Sequence, residues 1–301
     1  MKRFDQIILP DGRNLAFAEF GDPAGSPIYY CHGGISSKLD IAFVDSFCEN
    51  NGIRIIAPDR PAIGESDRKE GRTLLDWADD SRCLLENLHI AQTAVLGWSL
   101  GGPYALACGY RLPDLVSRVG IIGGAGNFDN PEAVKALGLW IDRLLFTCPE
   151  WLQWLLGAGL QLSALLPPEI AKQTLINELS SQSDREVVKA LSLEDATAFI
   201  YQGVSNGGVG VLDDYNAVGR PWNFSPSEIN VEVRIWHGEE DVLCPISVAQ
   251  EMVGQVQKAS LTVVPQAGHF LLHKNLDMVL NYLVGKHSGL PSIAEPGTIN
   301  N

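Results

Sequence analysis

The stretch Thr93-Ala94-Val95-Leu96-Gly97-Trp98-Ser99-Leu100-Gly101-Gly102-Pro103-Tyr104-Ala105-Leu106-Ala107-Cys108 starts as an apolar run of strand length and ends in a helical pattern. Between the two lies a serine flanked by Gly97 and Gly101. A serine on such a strand-to-helix turn is forced into a strained backbone conformation, and glycine on either side removes the Cβ atoms that would block the close approach of strand and helix. The hydroxyl then points outward. The new helix aims its unpaired amides and its positive dipole end at the space beside that hydroxyl, where an acyl oxyanion would be stabilised. Ser99 is therefore a candidate nucleophile and the Leu100 amide a candidate oxyanion donor. Patterns of five residues arise by chance, so the reading requires a base, an acid and a second donor elsewhere.

Outward from this turn, short apolar runs near 27–31, 53–57, 93–97, 118–122, 231–236 and 260–264 alternate with longer helical patterns near 36–51, 73–90, 100–111, 246–257 and 271–286. Such alternation predicts an α/β protein with a mostly parallel sheet covered by helices on both faces. Strands buried on both faces explain why the runs are apolar throughout. Two further strands, Arg3 to Leu9 and Asn14 to Phe20, joined through Pro10-Asp11-Gly12, read as a hairpin forming an antiparallel sheet edge.

The rhythm breaks over 127–220, where helical stretches rich in Leu, Trp and Ala are punctuated by Pro131, Pro149 and Pro167-Pro168. This predicts a helical cap at 127–220, inserted between core segments 1–126 and 221–287. Trp151 to Leu166 carries no charge. Its length approaches the ~20 residues that span a bilayer, but Gln153, Gln161, Ser163 and two glycines dilute it, so a buried cap helix or lid is expected rather than stable membrane insertion. The tail at 288–301, with Ser288-Gly289-Leu290-Pro291 and Glu295-Pro296-Gly297, reads as disordered.

A chain of 301 residues can bury a large core and carry an insertion. Its net charge of -14 repels phosphates and argues against a nucleic-acid partner. The start, Met1-Lys2-Arg3-Phe4-Asp5-Gln6-Ile7-Ile8-Leu9-Pro10, does not read as a signal peptide, and a cytoplasmic location is expected. The cysteines at 31, 48, 83, 108, 148 and 244 are scattered singly, without the spacing of a zinc or redox motif, and are expected as reduced, mostly buried thiols. Cys31 and Cys244 lie near the proposed site segments. The sequence does not choose between monomer and dimer.

His269, in Val264-Pro265-Gln266-Ala267-Gly268-His269-Phe270, directly follows the last predicted strand and suits a general base, since an imidazole with an ordinary pKa near ~6.5 exchanges protons at neutral pH. His273 lies one helical turn later, but no glutamate follows His269 as H-E-x-x-H requires, so no metal site is expected. Asp241, closing Trp236-His237-Gly238-Glu239-Glu240-Asp241 after another strand, is the candidate partner that fixes the imidazole tautomer. Glu240 and Asp129 are alternatives; the chain order Ser, Asp, His favours Asp241. His32-Gly33-Gly34 follows the apolar Ile28-Tyr29-Tyr30-Cys31 and offers the Gly34 amide as the second oxyanion donor, with His32 bonding loop backbone.

Taken together, Gly97 to Gly101, His32-Gly33-Gly34, Asp59-Arg60-Pro61-Ala62-Ile63-Gly64-Glu65-Ser66, His237 to Asp241 and Gly268-His269 make the chain resemble the α/β-hydrolase family over nearly its whole length. The resemblance implies an eight-stranded, mostly parallel sheet with a cap after the sixth strand, a triad of Ser99, Asp241 and His269, and no cofactor. Members usually carry glycine where this chain has Ala62. The implied activity is a serine hydrolase cleaving an ester or related acyl bond through an acyl-enzyme. Carbon-carbon hydrolases, perhydrolases and cofactor-free dioxygenases share the same triad, and some relatives are non-enzymatic ligand receptors. Epoxide and haloalkane hydrolases of the fold use an aspartate nucleophile, which Ser99 cannot replace. Trp140, Trp151, Trp154, Leu155, Leu156 and Phe199 of the cap suggest a small hydrophobic substrate. Ile35, Trp98, Trp140, Trp154 and Phe270 are the candidate pocket residues.

Overall fold

The apolar runs form eight strands: β1 (Arg3–Ile8), β2 (Asn14–Gly21), β3 (Ser26–Cys31), β4 (Ile53–Pro58), β5 (Thr93–Trp98), β6 (Val116–Ile122), β7 (Glu232–Gly238) and β8 (Ala259–Val264). They make one sheet in the order β1-β2-β4-β3-β5-β6-β7-β8. Only β2 runs against its neighbours, as the hairpin chemistry predicts; every other pairing is parallel. The computed structural model describes residues 3–124, 126–129 and 131–286, so the tail read at 288–301 lies outside the described residues.

Twelve helices accompany the strands among the described residues: α1 (Asp45–Asn51), α2 (Leu74–Asn87), α3 (Gly101–Arg111), α4 (Pro131–Lys135), α5 (Trp140–Thr147), α6 (Glu150–Ser163), α7 (Pro168–Glu178), α8 (Gln182–Ala190), α9 (Leu193–Val204), α10 (Val209–Val218), α11 (Ile246–Gln255) and α12 (Leu276–Leu283). Successive side chains of a strand point to opposite faces. Tyr29, Ile56, Val95 and Val119 accordingly pack with Trp77 of α2, Tyr104 of α3 and Met252 of α11. Their strand neighbours Ile28, Tyr30, Ile55 and Leu96 pack with Cys48 of α1 and Val279 and Leu280 of α12 on the other face. Burying each such side chain contributes about 1.5–3 kcal/mol, against about 1 kcal/mol for a helix cap such as Thr73 on α2, so packing on the sheet dominates.

Two predicted helices are each divided. The stretch read as 36–51 is a 3-10 turn (Lys38–Val44) followed by α1, and that read as 271–286 is a 3-10 turn (Leu271–Lys274) followed by α12. In the second case Asn275 leaves helical geometry (φ -133, ψ 32) while its side-chain amide bonds the Leu271 carbonyl at 2.7 Å. Seven helices, α4 to α10, lie between β6 and β7. Helix α6, uncharged after its first residue, is 14 residues long, and among the described residues no helix is long and apolar enough to cross a membrane.

Strand order positions the site. The chain passes from β3 to β4 on one side and then places β5 on the other side of β3, so the order reverses between β3 and β5. In open α/β sheets the crevice outside the carboxyl ends of strands at such a reversal binds ligands. Cys31 ends β3 and Trp98 ends β5, which delivers His32-Gly33-Gly34 and Ser99 to that crevice.

Candidate active site

Ser99 sits in the left-handed region (φ 53), its amide bonded to the Ile122 carbonyl at 2.9 Å and its carbonyl accepting the Gly102 amide at 2.9 Å. Such a conformation costs a non-glycine residue on the order of 1–3 kcal/mol. The flanking glycines are steric requirements. A Cβ at Gly97 would lie 2.5 Å from the Gly101 carbonyl oxygen, and one at Gly101 only 2.1 Å from that of Cys31. The turn thus fits tightly between α3, β5 and the end of β3.

The His269 Nδ1 lies 2.8 Å from the Asp241 Oδ2. The other Asp241 oxygen accepts the Leu243 and Cys244 amides, each at 3.0 Å, which fixes the carboxylate plane. Burial, the largest influence, works against the imidazolium, yet the Asp241 carboxylate, with Asp184 and Asp142 adding to it, holds the His269 pKa above its ordinary value. Asp241 is held below the usual carboxylate range, because the facing His269 overcomes the burial that would raise it. Gly123 (φ 51) backs the pair, and a Cβ there would lie 2.9 Å from the imidazole Nδ1. The alternatives go elsewhere: Asp129 is exposed, and Glu240 is exposed and accepts from Ser181 at 3.5 Å. His273 stacks on Phe43 with ring centroids 3.8 Å apart, and burial lowers its pKa to about 4.

His32 is fully buried, with its Nε2 accepting the Arg60 amide at 3.2 Å, so the ring proton sits on Nδ1 and is donated to the Gly33 carbonyl at 3.0 Å. Burial and the nearby Arg60 guanidinium push its pKa well down and keep it neutral. Arg60 also donates to the His32 and Gly33 carbonyls at 2.6 and 2.7 Å and to Asp214 of α10 at 2.8 Å. Arg72 reaches the same carboxylate at 2.6 Å. The Asp59-Arg60 motif thereby ties the Gly34 loop to α10. The sequence reading missed Asp214 and Arg72; the one hint was an acidic pair, Asp213-Asp214, within the mainly apolar α10.

Ser99, His269, Gly34 and Leu100 all line one cavity of about 570 Å³, walled chiefly by apolar side chains of α5, α6, α7 and α9. Ile35, Trp98, Trp140 and Phe270 line it too, as does Cys244, whereas Cys31 is packed in the core. All six cysteines are free thiols. Trp154 corrects the sequence reading: it is 71% exposed and absent from the lining. Leu156, Leu160 and Ser163 form the cavity face of α6, and Trp154, two residues before Leu156, falls about 200° around the helix from it. Three residues that the sequence reading missed also act here. Asp142 of α5 accepts from the Tyr215 hydroxyl of α10 within the cavity, and Asp184 of α8 accepts the His269 and Phe270 amides at 3.0 and 2.9 Å.

Comparison with known proteins agrees with this architecture. The chain is 20% identical over 280 residues to the uncharacterized hydrolase YugF of Bacillus subtilis, covering 91% of this chain and 94% of that protein. It is 25% identical over 253 residues to a 2-hydroxymuconate semialdehyde hydrolase of Pseudomonas sp. (strain CF600), covering 82% of this chain and 81% of that one. A thermophilic esterase from Thermogutta terrifontis superposes with a TM-score of 0.67 at 20% identity, over 94% of this chain and 98% of the esterase. The family profile described as alpha/beta hydrolase fold matches residues 26–276, from the first residue of β3 to the first of α12. By that match across most of its length the chain belongs to the α/β-hydrolase fold family, as a hydrolase of that fold.

Proposed function

We propose that the protein is a serine hydrolase that cleaves an ester or related acyl bond of a small, mainly apolar substrate. Ser99 Oγ attacks the carbonyl carbon while the His269 Nε2 takes its proton, and Asp241 holds the far ring nitrogen and stabilises the imidazolium. The Gly34 and Leu100 amides receive the oxyanion, each such donor typically supplying ~3 kcal/mol. The imidazolium returns its proton to the departing alcohol, leaving an acyl-serine. Water, deprotonated by His269, then attacks the acyl carbon, and Ser99 recovers its proton as the carboxylic acid departs. In this reading residues 127–220 act as a cap over the core segments 1–126 and 221–287, and a cavity of about 570 Å³ is of the size that takes a small ligand.

The observation that carries the reading is the 2.8 Å contact of the His269 Nδ1 with Asp241, on an imidazole that shares its cavity with the strained Ser99. The test is labelling with a small fluorophosphonate. Wild-type protein is expected to label at one site and Ser99→Ala not at all; folded wild-type protein that stays unlabelled overturns the reading. A panel of esters, thioesters, amides and a carbon-carbon substrate then ranks the bonds cleaved, the last included because a 2-hydroxymuconate semialdehyde hydrolase is among the relatives.

A further inference from the structure

Within the largely apolar cavity one corner is polar. Asp142 projects from α5 and Tyr215 from α10, and the Tyr215 hydroxyl donates to the Asp142 Oδ1 at 2.5 Å. The hydroxyl also lies against the proposed oxyanion loop: a Cβ at Gly34 would be 2.7 Å from it. The corner is rigidly mounted. Asp214, the residue before Tyr215, is clamped by Arg60 and Arg72, and the Tyr215 ring packs edge-on to Phe146 at 4.8 Å.

Hydrogen-bond accounting defines what this corner can recognise. The single Tyr215 proton is used on Asp142, so the valences left to a ligand are the second carboxylate oxygen and lone pairs, all of them acceptors. Among the described residues no lysine or arginine lines the cavity, while a second carboxylate, Glu178, does. A ligand carboxylate would therefore meet like charge without a counter-ion, whereas a ligand hydroxyl or N–H would find an acceptor in a low-dielectric pocket, where an unmatched polar group is costly.

We propose that Asp142, set by Tyr215, is a specificity residue that reads a hydrogen-bond donor, a hydroxyl or amide N–H, on an otherwise apolar ester. The position of Tyr215 beside Gly34 puts that donor on the second or third carbon of the acyl chain, close to the reacting carbonyl. This assignment rests on the serine-hydrolase reading and names the substrate class of the same site.

The test compares kcat/KM for ethyl 2- and 3-hydroxyhexanoate, their 2- and 3-methyl isosteres, and monoethyl adipate. Wild-type protein is expected to prefer one hydroxy ester over its methyl isostere by about 10- to 100-fold, the range for a hydrogen bond to a charged acceptor. Monoethyl adipate is expected to be the poorest substrate. Asp142→Leu should collapse the hydroxyl preference towards unity. Asp142→Asn keeps the side-chain size and should raise the relative turnover of monoethyl adipate; it serves also if the leucine variant does not fold. A wild-type ratio near one, a ratio that survives both variants, or monoethyl adipate as the best substrate overturns the assignment while Ser99 still labels. Absence of labelling instead overturns the hydrolase reading beneath it.

Discussion

Asp184, on α8, holds the backbone of the His269 loop, its two carboxylate oxygens accepting the His269 and Phe270 amides at 3.0 and 2.9 Å. The approach is possible because residue 268 is glycine; a Cβ there would lie 2.3 Å from the Asp184 Oδ2. A side chain from between β6 and β7 therefore sets the position of the proposed base. Asp184→Ala leaves two buried amides without acceptors, each costing about 1–3 kcal/mol. The expected result is a kcat lower by about 10- to 100-fold through misplacement of the imidazole, with KM little changed. Partial recovery in Asp184→Asn, which retains one acceptor oxygen, separates positioning from general unfolding in p-nitrophenyl ester kinetics.

The pH dependence follows from the same imidazole. In the proposed mechanism His269 must be neutral to accept the Ser99 proton, so kcat/KM is expected to rise with pH through the His269 pKa. Because Asp241, joined by Asp184 and Asp142, raises that pKa against burial, the acid limb should have its midpoint above the ordinary ~6.5. In Asp241→Asn the largest raising influence is gone and only the smaller influences of Asp184 and Asp142 oppose burial, so the midpoint should move down while kcat falls on the order of 10⁴-fold. A pH-rate profile of both proteins checks this. An acid limb that does not move in the variant argues that another group governs it.

The pairing of His269 with Asp241 was legible because each residue directly follows an apolar strand, and a parallel sheet brings all such strand ends to one rim. His32-Gly33-Gly34 was legible for the same reason. Asp142, Asp184 and Asp214 were not, since a carboxylate on an amphipathic helix ordinarily reads as solvated. Their burial depends on how α5, α8 and α10 sit against their neighbouring helices and the loops beyond the strand ends. That seating involves a close contact in which a Cβ on Gly210 of α10 would lie 2.3 Å from the Ala62 carbonyl oxygen, and no spacing along the chain announces it. Trp154 failed in the opposite direction: composition marks α6 as apolar but does not say which face is turned inward.

The Asp214 carboxylate faces two buried guanidiniums, Arg60 at 2.8 Å and Arg72 at 2.6 Å. Burial alone would raise its pKa, but the two arginines hold it well below the usual carboxylate range. Removing the charge strands both cations, so Asp214→Ala should lose about 3–5 kcal/mol of unfolding free energy. A lowered folded-state pKa contributes stability that is complete above the unfolded-state value of ~3.8 and is lost as pH falls through the folded-state value. The gap between wild type and Asp214→Asn in urea unfolding should accordingly be constant from pH 7 to 5 and narrow below pH 4. A gap independent of pH contradicts the ionised assignment.

Ala62 occupies the left-handed region (φ 61), with its amide bonded to the Asp67 carbonyl at 3.2 Å. A side chain in that conformation costs about 1–2 kcal/mol, and glycine avoids this while losing about 0.5–1 kcal/mol more chain entropy on folding. The balance favours Ala62→Gly by roughly 0.5–1 kcal/mol. Ala62→Val should shift the other way and further, since a β-branched residue fits this region worst. Thermal unfolding of the three proteins orders them as glycine, alanine, valine from most to least stable. Should the glycine variant melt below wild type, the methyl group of Ala62, only 3% exposed, contributes more by packing than the backbone loses by strain.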